Sequence, residues 1–85
     1  MSKELNIFKK KLLYRASYRG TKEMDILLKS FVNKNIKTLD KEDLIELEKF
    51  LNYEDEVIYN FYHYNISKKN IEKNKFSKIF KNFKI

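Results

Sequence analysis

The chain has 85 residues, near the lower limit at which a single apolar core holds a fold unaided, so one domain over residues 1–85 is expected. With no cysteine and one histidine it has no disulfide framework, no thiol nucleophile and no cysteine zinc site, and little from which to build any other metal site. Nineteen Lys and Arg against twelve Asp and Glu give a net charge of +7. That charge suggests an anionic partner, but only Arg15 and Arg19 carry the bidentate fork that suits phosphate and guanine.

The charge is unevenly placed. Residues 1–37 hold ten cations and three acids, residues 38–58 two cations and eight acids, and residues 59–85 seven cations and one acid. An acidic middle between two basic ends is unlike the continuous basic face of a nucleic-acid module, and no specific nucleic acid is expected as a partner. A small basic helical nucleic-acid-binding protein is the alternative function, motivated by the lysine run from Lys68 to Lys84. The opening MSKELNIFKKK mixes charged and apolar groups, unlike a secretory signal, and no stretch is long and apolar enough to span a bilayer, so no membrane insertion is expected. A reducing intracellular compartment fits the absence of cysteine. One glycine and no proline leave the chain without the punctuation that short strands need, which favours an all-α fold.

Ser2 is a candidate N-cap for a first helix, in which Leu5, Phe8, Leu12 and Leu13 recur at helical spacing before the pattern breaks near Ser17. Gly20 can adopt a positive φ and marks the corner to a second helix, whose stripe is Met24, Leu27, Leu28 and Phe31. The polar run 33–38 reads as a connection. Asp40 and Asp43 predict an N-cap and a first-turn acid for a third helix, with Leu39 and Leu44 closing over the cap and Leu44, Leu47 and Leu51 facing inward. Asp55 is expected to cap a fourth helix starting at Glu56, with Ile58, Phe61 and Tyr62 inward. After a relaxed stretch from Asn65 to Asn70, Phe76, Ile79, Phe80 and Phe83 predict a basic amphipathic fifth helix, within a basic C-terminal segment that starts at about residue 67. The sum is a compact antiparallel bundle of about five short helices, whose seven Phe and six Tyr offset the poor surface-to-volume ratio of so short a chain.

Residues 12–31, LLYRASYRGTKEMDILLKSF, resemble the signature of the succinate dehydrogenase assembly factors called flavinators. In that family a helix ends at Arg-Gly, two variable residues follow, and Glu, an apolar residue and Asp open the next helix. Arg19, Gly20, Glu23, Met24 and Asp25 occupy that pattern in order. The resemblance covers roughly residues 5–65, because LDKEDLIELEKFLNYEDEVIYNFY (39–62) is similar to the family's third and fourth helices, including the acidic pair before the fourth. Arg-Gly-x-x-Glu alone carries little information; its placement at a helix corner gives it weight. Two positions depart from the pattern. Tyr18 stands where many members have a second arginine, leaving Arg15 one turn earlier as the substitute cation, and Phe61 stands where many have tryptophan.

The resemblance implies an assembly factor that binds the flavoprotein subunit of succinate dehydrogenase, or of fumarate reductase, and promotes covalent attachment of FAD to it. It implies no enzyme activity and no catalytic residue in this chain, which would hold no FAD or metal of its own, act as a monomer, and work in the bacterial cytoplasm or the mitochondrial matrix. Arg19, Gly20, Glu23 and Asp25, with Arg15 and Tyr18, are the implied partner-binding residues. In that role Arg19 would fork onto carboxylate or carbonyl groups of the partner, while Glu23 would accept from partner donors or orient Arg19 across the turn.

Each residue also has a plainer reading. Arg19 and Glu23, four apart, could form a solvated ion pair worth a few tenths of a kcal/mol. Gly20 could be an ordinary C-cap, Asp25 a first-turn acid and Asp55 an N-cap. His63, with no second histidine, reads as a surface or packing residue, and Tyr59, Tyr62 and Tyr64 as core or interface aromatics. No P-loop, dinucleotide fingerprint or nucleophile with a positioned base supports an enzyme.

Overall fold

The computed structural model describes residues 3–84, so the proposed Ser2 cap lies outside the described residues. Five α-helices, two short 3-10 turns and no strand form among them: α1 (Lys3–Ser17), α2 (Lys22–Asn35), α3 (Lys41–Leu51), α4 (Asp55–Tyr64) and α5 (Lys75–Lys81), with the turns at Ile36–Thr38 and Ile71–Lys73. The Cα radius of gyration, 12.2 Å, matches the ~12 Å of a compact chain of this length, so the basic C-terminal segment folds onto the rest and is not a detached arm.

Each boundary has a local cause. Gly20 sits at φ +121°, a region that other residues resist, and turns the chain between α1 and α2. Thr21, extended at φ −123° and ψ 146°, caps α2 by accepting from the Met24 N–H at 3.3 Å. The α2 stripe is buried as expected, but α2 runs on through Asn35, where the sequence pattern predicts a connection. Asn33 and Lys34 lie on its exposed face, and buried Ile36 carries the chain inward in the 3-10 turn, so polarity there reflects a solvated face and not a break.

Asp40 caps α3 as predicted, accepting from the Asp43 N–H at 2.9 Å, and half-buried Leu39 packs on the core that holds Leu44. The predicted cap of α4 is corrected: Glu54 occupies the N-cap without a side-chain bond, and Asp55 is the first helical residue, its carboxylate engaged elsewhere. Asn65, left-handed at φ 59°, ends α4.

α5 is brief, and Asn74 fixes its start twice. Its side-chain Oδ1 accepts from the Phe76 N–H at 2.8 Å, and its side-chain Nδ2 donates to the Glu46 backbone carbonyl of α3 at 3.0 Å. Phe76 and Phe80 are buried, but Ile79, predicted inward, is exposed, because the helix ends at Lys81 before its stripe can widen. Phe80 packs on Phe31 and Phe50 with centroids 5.0 and 5.4 Å away, and the Tyr62 hydroxyl donates to the Phe83 carbonyl at 2.6 Å. The aromatic cluster thus ties α2, α3 and α4 to the C-terminal segment.

Candidate functional site

The corner between α1 and α2 meets the corner between α3 and α4. Arg19 fills the junction, and its side chain is only 10% exposed. Its Nε donates to Asp55 Oδ1 at 2.8 Å, Nη1 to the Leu51 carbonyl at 2.6 Å and Nη2 to the Tyr53 carbonyl at 2.7 Å. Leu51 ends α3, where unpaired carbonyls carry partial negative charge, so the guanidinium serves as a C-terminal cap from another part of the chain. Asp55 sits in the first turn of α4, where the helix dipole favours a carboxylate. One arginine therefore closes both ends of the α3–α4 turn.

The Arg19–Glu23 pair that the spacing allowed is absent from this arrangement. The Arg19 guanidinium pairs instead with Asp55, 36 positions away. Glu23 points outward, 60% exposed, with Oε1 at 3.3 Å from His63 Nε2. The Tyr59 ring packs on His63 at 4.3 Å between centroids, and its phenol is held above the ordinary pKa of 10.0, first by the negative charge of Glu23 and then by Tyr64. Tyr59 therefore keeps its phenol proton at neutral pH.

The other predicted residues also fall at this corner. The Arg19 backbone N–H donates to the Asp25 carboxylate, which holds the α1–α2 turn from the α2 side. Arg15 donates to the Asn52 side chain, and its Nη1 lies 3.9 Å from Glu48 Oε2. Tyr18 is exposed and packs on the Tyr14 ring at 4.7 Å. Tyr14, Arg15, Tyr18, Arg19, Glu54 and Asp55 border an open groove of about 440 Å³. On the other side of Asp55, Thr21, Glu23, Met24, Glu56 and Tyr59 complete a smaller one of about 260 Å³.

Sequence reasoning missed the Arg19–Asp55 pairing, the Thr21 cap and the Glu23–His63–Tyr59 group. For Asp55 the signal was the acidic pair ahead of α4. For Thr21 the signal was local, a hydroxyl three residues ahead of the Met24 N–H; nothing local announces the Glu23–His63–Tyr59 group, since contacts between distant segments have no sequence period.

Among the described residues no group of three His, Cys, Asp or Glu side chains could hold a metal ion, and no helix is long and apolar enough to cross a membrane. The architecture is a small helical bundle with an internally braced corner, on which Glu23 and the Tyr14–Tyr18 pair are exposed. Comparison with known families specifies the kind of bundle. The family described as flavinator of succinate dehydrogenase matches residues 10–84, and the chain belongs to that family. The match takes in the lysine-rich segment after residue 65, beyond the stretch that the sequence pattern alone identified. A curated relative, the FAD assembly factor SdhE of Acetobacter pasteurianus, is 40% identical over 47 residues. That alignment spans 55% of this chain and 43% of the relative, so less than half of the relative's length is covered. No solved structure matches.

Proposed function

We propose that this chain is an assembly factor that docks on the flavoprotein subunit of succinate dehydrogenase and promotes covalent attachment of FAD to it. The observation that carries the reading is the family match over residues 10–84. The corner gives it a physical form. Gly20 leaves the backbone open to close approach, Glu23 offers an exposed acceptor, and Arg19 holds the surface rigid from below. The flavin and a histidine of the partner supply the covalent chemistry. This chain contributes binding energy, which favours the partner conformation that aligns the two and so lowers the barrier by orientation.

FAD stays with the partner in this reading. Glu54 and Asp55 border one groove and Glu23, Asp55 and Glu56 the other, while the Arg19 guanidinium is engaged by Asp55 and two carbonyls and Arg15 by Asn52 and Glu48, a poor setting for a pyrophosphate. The chain is then a non-catalytic helper, a monomer when free, that works in the bacterial cytoplasm. Fumarate reductase is a further target in this reading. Deleting the gene and measuring covalent flavin on the large subunit by in-gel fluorescence tests the proposal: the expected result is loss of the fluorescent band, and undiminished flavinylation under all growth conditions would overturn it. The acid-rich corner does not favour the nucleic-acid alternative.

A further inference from the structure

α1 carries two apolar stripes, and the core uses one. Leu12 and Ala16 are buried where α1 packs on α2 and α3. On the opposite side Ile7, Tyr14 and Tyr18 are 46%, 66% and 70% exposed. Ile7 and Tyr14, seven apart at about 100° per residue, fall within about 20° on the helix surface, and Tyr18, just past the end of α1, packs its ring on Tyr14 at 4.7 Å. By the same geometry Lys10 flanks that stripe on one side and Lys11 and Arg15 on the other. Ile7, Lys10, Lys11, Tyr14 and Arg15 line a shallow depression of about 410 Å³ that shares Tyr14 and Arg15 with the larger corner groove.

We propose that this face extends the docking surface and takes an acidic segment of the flavoprotein subunit, with an apolar side chain of that segment seated between Ile7 and Tyr14. The proposal rests on the reading above that this subunit is the partner. A contiguous exposed apolar stripe rimmed by charge marks an interaction site, and tyrosine supplies contact area at low entropic cost. The charge selects the occupant: cations on both flanks favour carboxylates, and Glu48, 3.9 Å from Arg15, offsets only one of them locally. A second copy fits poorly, because a two-fold contact through this face would set Lys10, Lys11 and Arg15 against their own images. Continuity with the corner groove lets one partner surface cover both.

The test measures binding of the full chain to the purified flavoprotein subunit by calorimetry at low and high salt, for the wild type, Glu23→Ala, Tyr14→Ala and the double variant Lys10→Glu/Lys11→Glu. The altered α1 side chains are exposed, and circular dichroism and melting temperature check that each variant folds. The expected result is that Tyr14→Ala and the double variant each bind at least about tenfold more weakly, and that the double variant loses much of the salt dependence. If the wild type binds and Glu23→Ala weakens it while both α1 variants bind like the wild type, the α1 proposal falls and the corner reading stands. If the wild type does not bind, both fall. A homodimer dissolved by Tyr14→Ala in sedimentation would give the face to a second copy and overturn the proposal. So would binding of duplex DNA or anionic vesicles at physiological salt that the double variant abolishes.

Discussion

Replacing Arg19 by alanine removes three charge-assisted hydrogen bonds at once, to Asp55 and to the Leu51 and Tyr53 carbonyls. A hydrogen bond to a charged group contributes a net ~1.5–3 kcal/mol, so three bonds set an upper range of ~4.5–9 kcal/mol. Most of that is recovered as hydration, because Asp55 is 26% exposed and the two carbonyls lie at a surface corner that water enters once the side chain is gone. A loss of about 3 kcal/mol remains, a large share of the ~5–15 kcal/mol that stabilises a typical domain. For a chain of this size it lowers the melting temperature by roughly 12–24 °C. Thermal melts followed by circular dichroism, with urea unfolding as a second measure, test the figure. Arg19→Lys keeps the charge but not the fork, and recovers less than half of the loss. A drop of less than about 4 °C in Arg19→Ala, accompanied by lost binding to the flavoprotein subunit, would refute the clamp and make Arg19 a direct contact residue.

Three other outcomes follow from the same geometry. Gly20→Ala places a Cβ 4.0 Å from the Asp55 carboxylate, an ordinary contact, so its cost is the strain of φ +121°, about 1–3 kcal/mol, readable as a lowered melting temperature. Glu23→Ala, at an exposed position, changes stability by less than about 0.5 kcal/mol, while calorimetry shows weaker binding to the flavoprotein subunit. Between α3 and α5, the Lys75 ammonium lies 2.8 Å from Asp43 Oδ1 and holds the carboxyl below its ordinary 3.8, while Lys75 is held above 10.5. The Asp43 contribution is therefore full above about pH 3.8 and lost as pH falls through the depressed value; that of Lys75 is full below about pH 10.5 and lost as pH rises through the raised one. Lys75→Met removes both effects, so its melting temperature falls relative to wild type at neutral pH and converges with it at strongly acidic pH.

The helices were readable because burial on one side of a helix imposes a period. Met24, Leu27, Leu28 and Phe31 are buried as their spacing requires, and Asp40 caps α3 because a short acceptor three residues ahead of a free N–H is a local arrangement. The same logic failed where polarity had two causes. Asn33 and Lys34 read as a break but occupy the solvent face of a continuing helix, and Ile79 carried an inward period in a helix too short to use it. At the site, Arg19, Gly20, Glu23, Asp25, Arg15 and Tyr18 do gather at one corner, as their closeness in sequence ensures. Their partners were not legible: Asp55 looked like a cap because its position ahead of α4 suits that role equally well.

The sequence by itself determined that the chain is all helical, where Gly20 turns it, and that the Arg-Gly-x-x-Glu pattern lies at a helix corner. These are properties of neighbouring residues, set by backbone sterics and by the period of burial. Only the tertiary structure decided what the pattern's charges do. Arg19 turns inward because three acceptors from the α3–α4 turn converge within reach of its fork, whereas Glu23, on the outer face of α2, lies beside His63 and Tyr59 and stays exposed. Sequence spacing carries no information about that convergence, since Arg19 and Asp55 are brought together by the packing of two corners.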